Sequence, residues 1–75
     1  MAYRGVMDRK GELFAYVYGN TLYTLDDEAT GRVEGDLIVD MDGSPKWRLQ
    51  GDGVYSLDGE AIGYLGQPRP DDADL

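Results

Sequence analysis

The side chains that most often do chemistry in proteins are missing from this chain of 75 residues. It has no histidine and no cysteine, which excludes the commonest general base, the commonest metal ligands and disulfide bonds. Carboxylates next to tyrosine or lysine remain. Asp40, Asp42, Glu12 and Glu60 are expected at exposed turns, where no cleft would activate them. We therefore predict no catalytic residue, no enzyme activity and no cofactor.

The segment Asp40-Met41-Asp42-Gly43 is the best candidate for a metal site, because alternating aspartates before a glycine are typical of calcium loops. A loop of the EF-hand kind also needs a third ligand and a glutamate at its twelfth position. The residues from Val39 onward supply neither at that spacing. Turn chemistry alone explains Asp42-Gly43, so we predict no metal site.

Aromatic and large apolar side chains remain as candidates for a binding site. Tyrosine is favoured at interfaces because it combines a large apolar ring with a polar group. The candidate interface residues are Phe14, Tyr16, Tyr18, Ile62 and Tyr64. They lie in two distant segments, so they can act together only if the fold brings those segments side by side.

The charge of the chain limits its possible partners. Seven basic and fifteen acidic residues give a net charge of -8, which repels a polyanion such as DNA. No apolar run approaches the roughly 20 residues of a membrane span, and no apolar segment typical of a signal peptide is seen. We expect no nucleic-acid partner, no membrane association and a cytoplasmic location.

The elements that position these residues come from an internal repeat of sixteen residues. Residues 21–36, 37–52 and 53–68 are three copies. Residues 3–20 are interpreted as a fourth copy with two extra residues at its turn. The anchors of the copies are Asp8, Asp26, Asp42 and Asp58, and the copies are separated by the turn dipeptides Gly19-Asn20, Gly35-Asp36 and Gly51-Asp52.

Within each copy the apolar residues alternate with a period of two, which predicts a strand, a turn and a second strand. A two-residue Asp-Gly turn would place Leu57 on the same face as Glu60. A three-residue loop ending in Gly11, Gly43 or Gly59 keeps charge off the core face, so we predict this loop. In the second copy Asp27 replaces the glycine and has to adopt the left-handed conformation, at some cost.

This loop predicts one apolar core face for each hairpin. The predicted core residues are Met7, Leu13, Ala15 and Val17, then Tyr23, Leu25, Ala29, Gly31 and Val33, then Val39, Met41, Pro45, Trp47 and Leu49, and finally Tyr55, Leu57, Ala61, Gly63 and Leu65. Trp47 occupies a position where the other copies have alanine or glycine. It either fills a hole on a central axis, as close packing would require, or lies over the rim as an ordinary core aromatic.

We predict an all-β fold over residues 1–66, in which four hairpins, or eight short antiparallel strands, form a closed meander with pseudo-fourfold symmetry. An open, twisted sheet that dimerises edge to edge is the alternative. In a closed ring the first and fourth hairpins are neighbours, so their outer faces would join the five candidate interface residues into one patch. Residues 67–75 are polar, acidic and proline-bearing, which predicts a disordered tail.

Residues 54–65 read Val-Tyr-Ser-Leu-Asp-Gly-Glu-Ala-Ile-Gly-Tyr-Leu, and this segment resembles the repeat of the bacterial four-fold β-flower domains. The resemblance covers residues 3–66. It is best in the last copy and poorest in the second, where Asp27 replaces the glycine and Arg32 the aromatic residue. The family implies a petal-like ring of hairpins and no activity.

From these features we predict a non-catalytic protein-interaction or structural module, either homo-oligomeric or bound to a protein partner. A chain of this length buries only about 60% of its unfolded surface, and apolar surface patches mark interfaces. The alternative is a small-ligand or carbohydrate-binding module in which Tyr16, Tyr64 and Trp47 stack on a flat ligand.

Overall fold

The computed structural model of the chain describes residues 2–70, and every regular element in that range is a β-strand. The strands are β1 (Ala2–Asp8), β2 (Leu13–Tyr18), β3 (Thr21–Thr24), β4 (Ala29–Glu34), β5 (Leu37–Asp40), β6 (Pro45–Gln50), β7 (Gly53–Ser56), β8 (Ala61–Leu65) and β9 (Arg69–Pro70). Strands β1 to β8 pair antiparallel in chain order, and β8 pairs with β1 to close a barrel. The predicted closed meander of eight strands is confirmed, and the open sheet is not formed.

The sheet continues beyond the predicted end of the domain at residue 66. Strand β9 pairs with the start of β1, with Ala2 opposite Pro70 and Tyr3 opposite Arg69. This is possible because β1 has 7 residues, whereas β3, β5 and β7 have 4 each. Two residues of the predicted tail therefore belong to the sheet, and residues 71–75 lie outside the described range.

Three-residue loops join the two strands of each hairpin, as predicted. In each loop the last residue donates its backbone N–H to the carbonyl of the residue before the loop. These bonds are Gly11 to Asp8 (2.9 Å), Asp27 to Thr24 (3.0 Å), Gly43 to Asp40 (3.0 Å) and Gly59 to Ser56 (2.9 Å). The last loop residue has a positive φ, which is 94° at Gly59 and 69° at Asp27. The three-residue loop with a left-handed last residue is confirmed, including aspartate in place of glycine.

All four loops lie sixteen residues apart, so the first copy has no insertion and the predicted two extra residues are wrong. Asp8 aligns with Thr24, Asp40 and Ser56 and not with the other aspartate anchors. The four residues at this position share one role, because each side-chain oxygen accepts backbone N–H groups of its own loop. Asp8 accepts from Lys10 and Glu12, Thr24 from Asp26 and Glu28, Asp40 from Asp42 and Ser44, and Ser56 from Glu60.

The second strand of each hairpin contains a β-bulge shortly after the loop. The bulge changes which side chains of the first strand face the core. Val6 pairs with Ala15, but the next residue, Met7, pairs with Leu13, so Phe14 is the extra residue of the bulge. The same shift occurs in the other three hairpins. Because side chains alternate along a strand, one extra residue moves the first strand's inward side chains by one position.

The core consists of equivalent side chains, one from each hairpin. Val6, Leu22, Ile38 and Val54 are at most 2% exposed and are the largest fully buried side chains of the described residues. In the second strands the predicted inward residues are confirmed only beyond the bulge, where Ala15, Val17 and Leu65 are buried and Val33, Trp47 and Leu49 pack against them.

The predicted core face of the first strands is wrong because of the bulge. The residues after the buried ones lie on the outer face of the sheet, namely Met7, Tyr23 and Tyr55. Val39 occupies the equivalent position of the third hairpin and is only 4% exposed, so its predicted burial is confirmed. Leu25, Met41 and Leu57 are about half exposed because each is the first residue of a loop. The first residues of the second strands were also predicted in the core and are exposed, namely Leu13, Ala29, Pro45 and Ala61.

Trp47 reaches across the centre of the ring. Its indole packs edge to face on Phe14, with ring centroids 6.2 Å apart and an interplanar angle of 79°. Phe14 belongs to the first hairpin and Trp47 to the third, which lie opposite each other. This contact supports the first interpretation, in which the indole fills space that small residues leave. Gly63 is small for a different reason, because a Cβ there would collide with the carbonyl oxygen of Met7 in the neighbouring strand.

The bulged register can be tested with neighbouring positions of the third hairpin. We expect Ile38→Ala to lower the free energy of unfolding by about 2–5 kcal/mol, because a fully buried side chain is removed. Met41→Ala, at a position 51% exposed, should change it by less than about 0.5 kcal/mol. Urea unfolding followed by circular dichroism measures both values. A larger loss for Met41→Ala would contradict the register.

Candidate functional site

The outer face of β1, β2 and β3 carries an open groove with a volume of about 870 Å³. This volume lies within the range of ordinary ligand pockets. We call it the tyrosine groove. The largest side chains that line it are Tyr3, Tyr16, Tyr18, Tyr23, Met7 and Leu13.

The strand register brings the four tyrosines together. Tyr3 in β1 lies opposite Tyr18 in β2, and Tyr16 in β2 lies opposite Tyr23 in β3. The rings of Tyr16 and Tyr23 are stacked, with centroids 5.2 Å apart and 18° between their planes. Tyr3 stands edge-on to Tyr16 at 6.4 Å and 79°. Such cross-strand aromatic pairs stabilise the sheet and hold the rings in fixed orientations.

Two glycines leave space for the apolar floor of the groove. A Cβ on Gly5 would lie 2.6 Å from Cδ1 of Leu13, and one on Gly66 would lie 2.9 Å from Cε of Met7. The side chains of Leu13 and Met7 therefore occupy the space above these backbone positions. Leu13 is 50% exposed, so the floor presents apolar atoms to a bound molecule.

Asp27 places a carboxylate at one end of the groove. The hydroxyl of Tyr16 donates a hydrogen bond of 2.5 Å to Oδ1 of Asp27. This bond, together with desolvation and the negative charge of the carboxylate, raises the pKa of Tyr16 to about 12. Asp26 and Glu28 flank Asp27 in the same loop and are exposed. The copy that lacks the loop glycine is therefore the copy whose loop supplies charge to the groove.

The structure separates the five candidate interface residues. Tyr16 and Tyr18 lie in the tyrosine groove. Tyr64 is 44% exposed on β8, opposite Met7 of β1, which confirms that the first and fourth hairpins are neighbours. Phe14 and Ile62, predicted on the outer face, pack against the core instead. Both are the extra residues of their bulges, and this turns their side chains inward.

Three residues of the groove are added by the structure, namely Tyr3, Tyr23 and Asp27. Tyr23 was predicted in the core, and Tyr3, at the start of the first copy, was assigned to neither the core nor the candidate interface. A signal for Tyr23 does exist in the sequence. In an antiparallel pair joined by the two-residue turn Gly19-Asn20, it is the residue opposite Tyr16.

The described part of the chain contains no group of three or more acidic side chains arranged to hold a metal ion. In the segment Asp40-Met41-Asp42-Gly43, one carboxylate oxygen of Asp40 accepts the N–H groups of Asp42 and Ser44. Bonding to Asp40 and Ser44 lowers the pKa of Asp42. Residues 2–70 also include no helix that is long and apolar enough to cross a membrane.

Comparison with known proteins identifies no relative, since no family model, no curated protein and no solved structure matches this chain. The resemblance to the four-fold β-flower domains stays a prediction that rests on the repeat alone. The function therefore has to be argued from the groove and its charges.

The bond between Tyr16 and Asp27 can be tested by titration. Because the fold raises this pKa, it favours neutral Tyr16. The resulting stability is present below pH 10.0, the ordinary pKa, and is lost as the pH rises to about 12. We expect Asp27→Asn to move the pKa of Tyr16 down toward 10.0, and asparagine tolerates the positive φ at this position.

The measurement is the tyrosinate absorbance of each protein as a function of pH. Subtracting the curve of a Tyr16→Phe variant isolates the titration of Tyr16 from that of the other tyrosines. An unchanged midpoint in Asp27→Asn would contradict the assigned cause of the shift.

Proposed function

We propose that this protein is a non-catalytic interaction module that binds a protein partner in the tyrosine groove. The observation that carries the proposal is the row of tyrosine rings across β1, β2 and β3, held in place by cross-strand pairing. Interfaces are enriched in tyrosine, and rigid aromatic side chains often supply much of the binding energy. An exposed floor of leucine and methionine adds apolar area that a partner can cover.

The state of Tyr16 favours binding over catalysis. A general base works best with a pKa near the working pH, whereas the pKa of Tyr16 is raised to about 12. Its hydroxyl therefore stays protonated and keeps its bond to Asp27. This bond fixes the ring, so little side-chain entropy is lost when a partner binds.

Self-association through the same groove would make a second copy of the chain the partner. Two copies would bring two acidic loops together, each with Asp26, Asp27 and Glu28 next to the groove. Like charges at an interface oppose binding, and each copy has a net charge of -8. These charges favour a different protein as the partner.

A carbohydrate or other flat ligand is the second candidate, and it would also have to use the tyrosine groove. Trp47 packs on Phe14 across the ring, and its indole lies near Lys46, whose Nζ is 5.0 Å from the ring centroid. Tyr64 is not among the residues that line the groove. The three aromatics predicted to stack on one ligand therefore lie in three different places.

The repeat supplies a matched control for a test of the groove. Tyr55 and Tyr64 occupy the positions equivalent to Tyr23 and Tyr16 in the fourth hairpin. We expect Tyr16→Ala with Tyr23→Ala to abolish the selection of binders from a random peptide library. Tyr64→Ala with Tyr55→Ala should select peptides as the wild type does, because these side chains lie outside the groove.

Circular dichroism checks that both double variants keep the β-structure. Light scattering across a dilution series and thermal shift with a set of glycans test the other two partners, a second copy and a carbohydrate. Peptides selected equally by both double variants, or by neither the wild type nor the control, would contradict a peptide-binding groove.

A further inference from the structure

We propose that the tyrosine groove takes an extended, proline-rich peptide with basic residues at one end. The inference rests on the proposed function and names the chemistry of the partner. The three properties that carry it are the closed sheet, the orientation of the tyrosine rings and the acidic loop beside them.

The closed sheet leaves little opportunity for a peptide to bind as an added strand. Strand addition needs a free edge with unpaired backbone groups. Each of the strands β1 to β8 has a neighbour on both sides, and within residues 2–70 the sheet ends at β9, which has 2 residues. A peptide therefore has to bind through side chains on the outer face of the barrel.

The rings of the groove match a polyproline helix. Tyr16 and Tyr23 are stacked, and Tyr3 stands nearly perpendicular to Tyr16. Such differently oriented rings form apolar walls, which are the surfaces that recognise polyproline segments in other proteins. A polyproline helix has no internal hydrogen bonds, so its carbonyl groups need donors. Gln67 lines the groove, and its side-chain amide is a type of group that can donate such a bond.

The charge beside the groove sets the direction of the peptide. Asp26, Asp27 and Glu28 form three consecutive carboxylates, and Asp27 itself lines the groove. A basic residue at one end of the peptide would lie near this loop, since complementary charge guides association and fixes the register. A proline-rich segment is already extended before it binds, so it loses less conformational entropy than a flexible peptide.

Fluorescence anisotropy with a labelled synthetic peptide tests the inference. A peptide of about ten prolines spans roughly 31 Å at ~3.1 Å per residue, comparable with the 40 × 28 × 21 Å extents of the protein. The first probe adds two arginines to one end of this segment. The second probe replaces the arginines by glutamates, and the third replaces the prolines by alternating glycine and serine.

We expect the first probe to bind at least about tenfold more tightly than the other two. Tyr16→Ala with Tyr23→Ala should weaken it by about tenfold or more, whereas Tyr64→Ala with Tyr55→Ala should not. Asp27→Asn with Glu28→Gln keeps the tyrosines and should weaken the arginine probe severalfold, with a smaller effect of salt. This second variant keeps the test informative if loss of the tyrosines destabilises the fold.

The outcomes separate this inference from the proposed function. Equal binding of all three probes, or of the arginine and glutamate probes, would overturn the inference. So would a library selection that needs Tyr16 and Tyr23 but yields peptides without proline, and in that case the groove would remain a protein-binding site. If no peptide of any kind depends on these tyrosines, both proposals fail.

Discussion

The whole structure depends on closing the sheet around one buried side chain from each hairpin. Val6, Leu22, Ile38 and Val54 meet inside the barrel and are at most 2% exposed. A chain of this size without disulfides has few other ways to exclude water. Closure also gives every strand from β1 to β8 two neighbours, so that their backbone groups are paired on both sides. The β8–β1 pairing has the same register as the pairings between successive hairpins, which makes the ring regular.

The sequence allowed the repeat, the loop type and the closed ring to be predicted, because each has a local physical cause. Loop glycines mark the left-handed position, and alternation marks the strands. The core face of the first strands could not be predicted in this way. Each first strand has two consecutive apolar residues, at positions 6 and 7, 22 and 23, 38 and 39, and 54 and 55. The sequence pattern therefore does not decide which of the two faces the core and which faces outward. The choice is made by the bulge, and no glycine or proline marks the bulge positions, which are occupied by Phe14, Thr30, Lys46 and Ile62.

The same bulge explains how much of the tyrosine groove was predictable. Tyr16 and Tyr18 lie beyond the bulge in a second strand, where the faces were predicted correctly, and they are in the groove. Tyr23 was missed because it lies in a first strand. Phe14 was predicted on the outer face, but as a bulge residue it packs against the core. Asp27 was predicted to adopt the left-handed conformation, and it does, with a φ of 69°. Its bond to Tyr16 depends on a tertiary position that the sequence pattern does not contain.

The pseudo-fourfold ring offers four equivalent outer sites, and comparison among them shows which site departs from the others. At one of the four sites the cross-strand pair is Tyr16 with Tyr23. At the other three sites the pairs are Arg32 with Val39, Arg48 with Tyr55, and Tyr64 with Met7. Only the first pair joins two aromatic residues, and its loop is the one where aspartate replaces glycine. Asp27 departs from the preference for glycine at a left-handed loop position, at some cost, and in return contacts Tyr16. Such departures are expected at functional sites. Glycine holds this loop position in the other three hairpins, so the closed barrel does not require aspartate there, and the bond to Tyr16 is what the groove gains from the exception.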